Sequence, residues 1–199
     1  VTSLDPIGPN AVHLCIDMQR LFAETTDWHT PALPDIIPNI VRIARAHPGQ
    51  NIFARFTVPT AVNAARGSWV EYYRRWNGIV AAVAKDAGLI EIVEPLVEIA
   101  RCEETLDKPA YSMFASALHE RLAAREVDTL IFTGVETDIC VLSTIFAAID
   151  LGYKTIVVDD AVTSSDIAAH RAVLDIVLPR MPQQVSIVDT ETLMQRWSS

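Results

Sequence analysis

Short apolar runs alternate along nearly the whole chain with longer stretches whose apolar residues recur every three or four positions. Ala11–Ile16 (AVHLCI), Asn51–Phe56 (NIFARF), Leu89–Val93, Val127–Phe132, Thr155–Val158 and Val185–Val188 predict six strands. Ile36, Ile37, Ile40, Ile43 and Ala44 fall on one helical face behind a Pro-rich entry, where Pro38 is tolerable only near the helix start. Trp69, Tyr72, Tyr73, Trp76, Ile79, Val80 and Val83 mark an aromatic-rich helical face, and Phe114, Leu118 and Leu122 mark another. A helix is expected from about Asp138 through Ile139, Leu142, Phe146 and Ile149 to Gly152. The next spans Thr163 to Val177, with Thr163, Ser164 or Ser165 as its cap, and a short terminal helix takes in Leu193 and Trp197.

Strands separated by helices require a βαβ architecture, and right-handed crossovers then place helices on both faces. The uninterrupted runs TLIF and TIVV suit strands covered on both sides. The expectation is a single α/β domain over residues 1–199, a three-layer α/β/α sandwich around a mainly parallel six-stranded sheet. In such sheets ligands collect beyond the carboxyl ends of the strands, where the strand order reverses. That rule selects Asp17, Thr57, the segment Gly134 to Cys140, and Asp159–Asp160.

Composition narrows the field only slightly. With 199 residues, half of them hydrophobic, the chain can bury one sizeable core, which excludes disordered and fibrous classes. The 25 acidic residues outweigh the 16 basic ones for a net charge of -9, so nothing supports a nucleic-acid or anionic-membrane partner. No run approaches a membrane span, and Val1 to Pro9 shows no basic segment leading into an apolar one. Cys15, Cys102 and Cys140 are odd in number and widely spaced, with no Cys-x-x-Cys pair, which fits a reduced, cytoplasmic setting.

The candidate chemistry centres on Cys140, near the start of the helix after the fourth strand. Helix-start N–H groups favour a thiolate and can hold an oxyanion, although a thiol between Ile139 and Val141 also suits a small buried hydrophobe. A nucleophilic thiol needs a base. None of His13, His29, His47, His119 and His170 follows a strand in a suitable place, and only His29, in the first loop, falls near the cleft. Asp17 ends the first strand in DMQRLF, as a carboxylate facing the cleft or as a turn former. Lys108, in LDKPAYSMF, is backed by Pro109 and an aromatic segment, and is otherwise a solvated lysine.

DMQRLF, DKPAYSMF, TLIFTGVETDICV and VVDDAVTSSDIAAH, in that order, resemble the isochorismatase-like cysteine hydrolase superfamily. That group includes nicotinamidases, N-carbamoylsarcosine amidases and ureidoacrylate- or biuret-type hydrolases. The resemblance spans nearly the whole chain and is weakest between Thr57 and Ile99. It implies a catalytic triad of Asp17, Lys108 and Cys140. It also implies a cis peptide between Val135 and Glu136, an oxyanion hole from the N–H groups of Glu136 and Cys140, and a homodimer or homotetramer.

Nicotinamidases add a metal site built from an Asp and several His after the second strand. Here that strand runs into ARFTVPTAVNAARGSW, with no histidine between His47 and His119, so no metal and no cofactor is expected. Isochorismatases proper generally lack the cysteine, which turns the expectation from vinyl ethers toward a small amide, carbamoyl or ureido substrate. A vinyl-ether hydrolase and a non-catalytic binding module stand as the alternatives. No Gly-x-Gly-x-x-Gly follows a strand, which disfavours an oxidoreductase. For the pocket, Phe22, Trp28, Trp76 and Tyr111 are candidate walls, with Trp69 and Tyr73 as further ones. Arg55, inside an apolar run, suits either a substrate carboxylate or a structural salt bridge, with Arg74 and Arg75 behind it as carboxylate ligands. Thr137 either meets substrate or caps the catalytic helix.

Overall fold

A computed structural model describes residues 4–197 of the protein. The strands are β1 (Ala11–Ile16), β2 (Asn51–Phe56), β3 (Glu104–Lys108), β4 (Thr129–Gly134), β5 (Lys154–Val162) and β6 (Val185–Val188). They form one sheet in the order β3-β2-β1-β4-β5-β6, and all five pairings are parallel. The helices are α1 (Arg20–Ala23), α2 (Leu33–Ala46), α3 (Trp69–Arg75), α4 (Asn77–Lys85), α5 (Leu96–Ala100), α6 (Leu118–Ala124), α7 (Leu142–Asp150), α8 (Ile167–Ala172) and α9 (Thr190–Arg196). They cover both faces, as the continuous apolar runs require: every residue of β1 and β4 is buried. The sequence reverses direction across the sheet between β1 and β4, which puts the switch point beside the carboxyl ends of those two strands.

Five strands stand where the hydrophobic pattern predicts them, within a few residues. The third does not. Leu89, Ile92 and Val93 are buried, but their segment is not a strand: Ala87–Ile90 forms a 3₁₀ turn capped by Asp86, and Ile92 makes only an isolated antiparallel bridge to Gln19. Its apolar residues pad the loop after β1, held by Arg20 N–H to Glu91 O and Val93 N–H to Met18 O. The real β3, ETLDK, is an edge strand that buries only Leu106 and Lys108, so its polar alternation hides it among loops. Smaller corrections follow the same logic. Pro38 lies within α2 rather than at its start. The cap of α8 is Asp166, whose carboxylate accepts from the N–H groups of Ala168 and Ala169. Trp197 lies just past α9, fully packed against His47 at 3.6 Å between ring centroids.

One close approach sets the geometry at the switch point. Gly134 ends β4 with φ of 105°, and a Cβ there would stand 2.0 Å from the carbonyl oxygen of Ile16. Only glycine lets the chain leave β4 that tightly over the end of β1, with Val135 N–H donating to Ile16 O at 3.0 Å. Gly134→Ala should therefore cost about 3 kcal/mol or more in a urea unfolding titration, through both backbone conformation and contact. A variant with the wild-type midpoint would contradict this account.

Candidate active site

Asp17 follows β1 in the left-handed region, φ 53°, which costs a non-glycine residue about 1 kcal/mol. The surroundings hold it there. Its N–H donates to Ala54 O, its carbonyl accepts from Gln19 N–H, and the Gln19 side chain clamps the loop to Phe56 N–H, Phe56 O and Ile90 O. Lys108 is the last residue of β3. Its Nζ donates to Asp17 Oδ2 at 2.7 Å and to Ala110 O at 3.1 Å, and stands 4.7 Å from the centre of the Phe56 ring. Neither side chain of the Asp17–Lys108 pair has any solvent exposure.

Cys140 comes from the other side of the switch point. The Val135–Glu136 peptide is cis, and Thr137–Val141 forms a π-helical turn that runs straight into α7. The wide turn is visible in Val141 N–H donating to Glu136 O, and it swings Cys140 toward the sheet end. Thr137 N–H is fixed to Thr163 O at the extended end of β5, and Thr144 Oγ1 donates to Cys140 O at 2.7 Å. Thr144 also accepts from Met113 N–H, which ties this turn to the segment after Lys108. Glu136 N–H takes none of the loop backbone hydrogen bonds among the described residues, and the Glu136 carboxylate is occupied by Ser165 N–H and Thr30 Oγ1.

The three groups perturb one another. Burial raises the pKa of Asp17 above its ordinary value, against the opposing pull of Lys108. Burial lowers that of Lys108, but the Asp17 carboxylate, with Cys140 beside it, outweighs burial, so the ammonium is held charged. Burial raises the Cys140 thiol well above the usual thiol range, with Lys108 pulling it partly back. Asp17 Oδ1 makes no hydrogen bond, while the carboxylate is influenced first by Lys108 and then by the Cys140 thiol. A carboxylate with an open, unusually basic oxygen beside a neutral thiol and a fixed cation can take a proton, stabilise the resulting sulfur anion and return the proton later.

Above Cys140 is a chamber of about 40 Å³ walled by Phe22, Trp28, Phe56, Tyr72, Tyr111 and Ile139, with Glu136 at its edge. Phe22, Trp28 and Tyr111 thus stand where the sequence suggests a pocket. Phe56, Tyr72 and Ile139 were missed there. Phe56 reads as a strand residue, yet alternation along β2 turns Phe56 to the chamber and Arg55 away. Arg55 is accordingly corrected: it is bound to Asp107 and Glu91 in a separate surface cleft and does not reach Cys140. Arg74 pairs with Glu71, and Arg75 stacks on Trp76. Trp76 is corrected likewise, because it packs edge-on to Trp28 behind the wall. Thr137 turns its hydroxyl to His170 Nδ1 at 2.9 Å, and His29 does not line the chamber. His13 is buried in the sheet between Asn51 and Thr133, and burial pushes its pKa down to about 4. Among the described residues no group of three or more His, Cys, Asp or Glu side chains is arranged to hold a metal ion.

Comparison with known proteins shows the family and the fold. The isochorismatase domain family matches residues 11–191. The Arabidopsis thaliana protein "Probable inactive nicotinamidase" is 29% identical over 169 residues, 82% of this chain and 85% of that one. Ureidoacrylate amidohydrolase RutB of Acinetobacter baylyi is 34% identical over 89 residues, 44% of this chain and 35% of its own length. In three dimensions, a cysteine hydrolase from Pseudomonas syringae pv. phaseolicola 1448A superposes with a TM-score of 0.81 at 23% identity, covering 98% of this chain and 95% of that one. The nicotinamidase PncA of Bacillus subtilis gives 0.72 at 22% identity, covering 89% and 99%. At those identities the two structures establish the fold.

The state of the Cys140 thiol can be read by alkylation. Iodoacetamide should modify exposed Cys102 readily and Cys140 slowly, with the Cys140 rate still climbing above pH 9 because burial keeps that thiol protonated. Lys108→Met should move the Cys140 profile to still higher pH in peptide mass spectra. A Cys140 profile that levels off below pH 7 would refute the assignment.

Proposed function

The chain belongs to the isochorismatase family of hydrolases, and we propose that it is a metal-independent cysteine hydrolase of a small amide, carbamoyl or ureido compound. The observation that carries this reading is the fully buried Asp17–Lys108 ion pair coupled to the Cys140 thiol under a small aromatic chamber. One relative supports the bond type: the Acinetobacter baylyi protein, 34% identical over 89 residues, is an amidohydrolase.

In the proposed reaction Asp17 Oδ1 accepts the Cys140 thiol proton as sulfur attacks the substrate carbonyl. Negative charge moves to the carbonyl oxygen, which the backbone N–H groups of Glu136 and Cys140 receive. Collapse of the tetrahedral adduct breaks the C–N bond, and the leaving amine carries away the proton held by Asp17. The products of this half are a thioester and free amine. Water, losing its proton to Asp17, then attacks the thioester. Its collapse releases the acid, and the proton on Asp17 returns to the sulfur. Lys108 remains charged throughout, offsetting each negative charge that forms beside it. The three groups titrate as a unit, so the pH profile belongs to the cluster.

The chamber limits what reacts. A space of about 40 Å³ admits a few water-sized groups, enough for a planar amide end but not for a bulky substrate as a whole. The absence of histidine between His47 and His119 removes the ligands a nicotinamidase-like metal site would use there, which is why the proposal invokes none.

The test is ammonia release across a panel of small primary amides, carbamoyl and ureido compounds. Cys140→Ala and Asp17→Asn should each lower turnover by about 10⁴-fold. A slowly hydrolysed amide should leave an acyl adduct on Cys140 in the intact mass. Undiminished turnover by Cys140→Ala would overturn the mechanism, and so would failure to turn over any compound, which would align the chain with the Arabidopsis "Probable inactive nicotinamidase".

A further inference from the structure

The turn that presents Cys140 leans on the segment between β5 and α8. A π-helical turn is a rare form of helix, and this one is held in shape by its neighbours. Three consecutive side chains at its start reach into that segment. The Glu136 carboxylate accepts from Ser165 N–H at 3.0 Å, the Thr137 hydroxyl meets His170 Nδ1 at 2.9 Å, and Asp138 Oδ1 accepts from Ser164 Oγ at 2.5 Å. Thr137 N–H adds a backbone bond to Thr163 O on the same side.

His170 differs from the other anchors in being a ring fixed on a helix. The start of α8 is pinned: the Asp166 carboxylate caps it, Asp166 N–H donates to Ser164 Oγ, and His170 N–H donates to Asp166 O. Thr137 is fully buried and His170 half-buried, so the Thr137 hydroxyl depends on this ring for its hydrogen bond. Burial holds the His170 pKa below its ordinary value, with Arg171 acting the same way and Asp138, Asp175 and Asp159 opposing. The neutral ring, its proton on Nε2, accepts the Thr137 hydroxyl proton at Nδ1. The segment VVDDAVTSSDIAAH ends on this histidine, and the proposed reaction gives it no part.

We propose that His170 is a positioning residue of the Cys140 site, fixing through the Thr137 hydroxyl the turn that carries both oxyanion donors, the N–H groups of Glu136 and Cys140. It touches neither the substrate nor the sulfur. Thr137 directly follows Glu136 and stands three residues before Cys140, so a shift of Thr137 moves both N–H groups. Asp17 and Lys108 do not follow that shift, because their own ion pair ties them to β1 and β3. The cost falls on the transition state, since the donors meet full negative charge only once sulfur has attacked. This assignment rests on the cysteine-hydrolase reading of the site.

The experiment measures kcat and KM with propionamide and N-methylurea as probes, in wild type, His170→Ala, His170→Asn, Thr137→Val and the double variant His170→Ala/Thr137→Val. Iodoacetamide labelling of Cys140 at about pH 9 runs alongside, with exposed Cys102 as the internal reference. His170→Ala should lower kcat about tenfold or more with KM within about twofold, and should speed Cys140 labelling about threefold or more as the thiol loses its burial. His170→Asn, whose side-chain oxygen accepts in place of Nδ1, should restore most of both. Thr137→Val should match His170→Ala, and the double variant should be no worse than either single one. Should His170→Ala fail to fold, Thr137→Val against Thr137→Ser carries the same comparison, because serine keeps the hydroxyl. Labelling that changes in His170→Ala and recovers in His170→Asn, in protein that hydrolyses neither probe, would end the hydrolase reading and leave the positioning role standing. Wild-type kcat and labelling in His170→Ala, a loss confined to KM, a loss that asparagine does not rescue, or additive effects in the double variant would overturn it.

Discussion

Two opposite charges with no solvent contact hold the end of this sheet together. Burying Asp17 and Lys108 forfeits hydration worth several kcal/mol for each ion, and their mutual attraction offsets that only if the remaining bonding positions are filled. On the lysine they are largely filled: Ala110 O accepts a second bond and the Phe56 ring faces the ammonium. On the aspartate one oxygen is left open. Loss of either partner alone would strand a buried charge, a cost of about 3–5 kcal/mol. The pair also spans β2, joining the end of β1 to the end of β3, so both loops bordering the chamber are anchored to one interaction. A structure built only for stability would close the open oxygen.

Much of this was legible in the sequence because buried parallel strands leave an unambiguous apolar signature. AVHLCI, TLIF and TIVV have no polar face to obscure them, and the residues that follow such strands could be named before the sheet order was known. Asp17, Glu136 and Cys140 all lie immediately beyond β1 and β4, the strands on either side of the switch point. Lys108 was found only through the motif around it. Its own strand, an edge strand with three of five residues at least partly exposed, resembles a loop, while the buried padding at Leu89–Val93 mimics the missing strand.

What stayed illegible was side-chain direction. A one-residue step along β2 sends Arg55 to an ion-pair cluster and Phe56 to the chamber, and the run IFARF does not say which parity faces the site. The aromatic helix raised the same difficulty. Trp69, Tyr72, Tyr73 and Trp76 share a helical stripe, yet Tyr72 lines the Cys140 chamber, Tyr73 lines a separate cavity, Trp69 bridges them and Trp76 stands behind Trp28. Helical spacing reports which residues are buried together. It does not report that two spaces are divided by their rings.

The direction of the thiol's shift bears on how such a site would work. A nucleophile kept as a standing thiolate is also exposed to oxidants and stray electrophiles. Here burial holds the Cys140 proton in place, and the 5% exposure of the residue leaves little access. Under the proposed reaction, the proton moves to Asp17 only as the sulfur bonds to a carbonyl, when the charge is passed to an oxygen held by two N–H groups. Lys108 lowers the cost of the intermediate stage without making it the resting one. Reactivity is then conditional on a substrate that fills the chamber and excludes its water, and selectivity becomes a matter of which amides can place that group while the aromatic wall accommodates the remainder. The raised thiol pKa and the small chamber are two parts of one arrangement: the first keeps the sulfur quiet, and the second decides what wakes it.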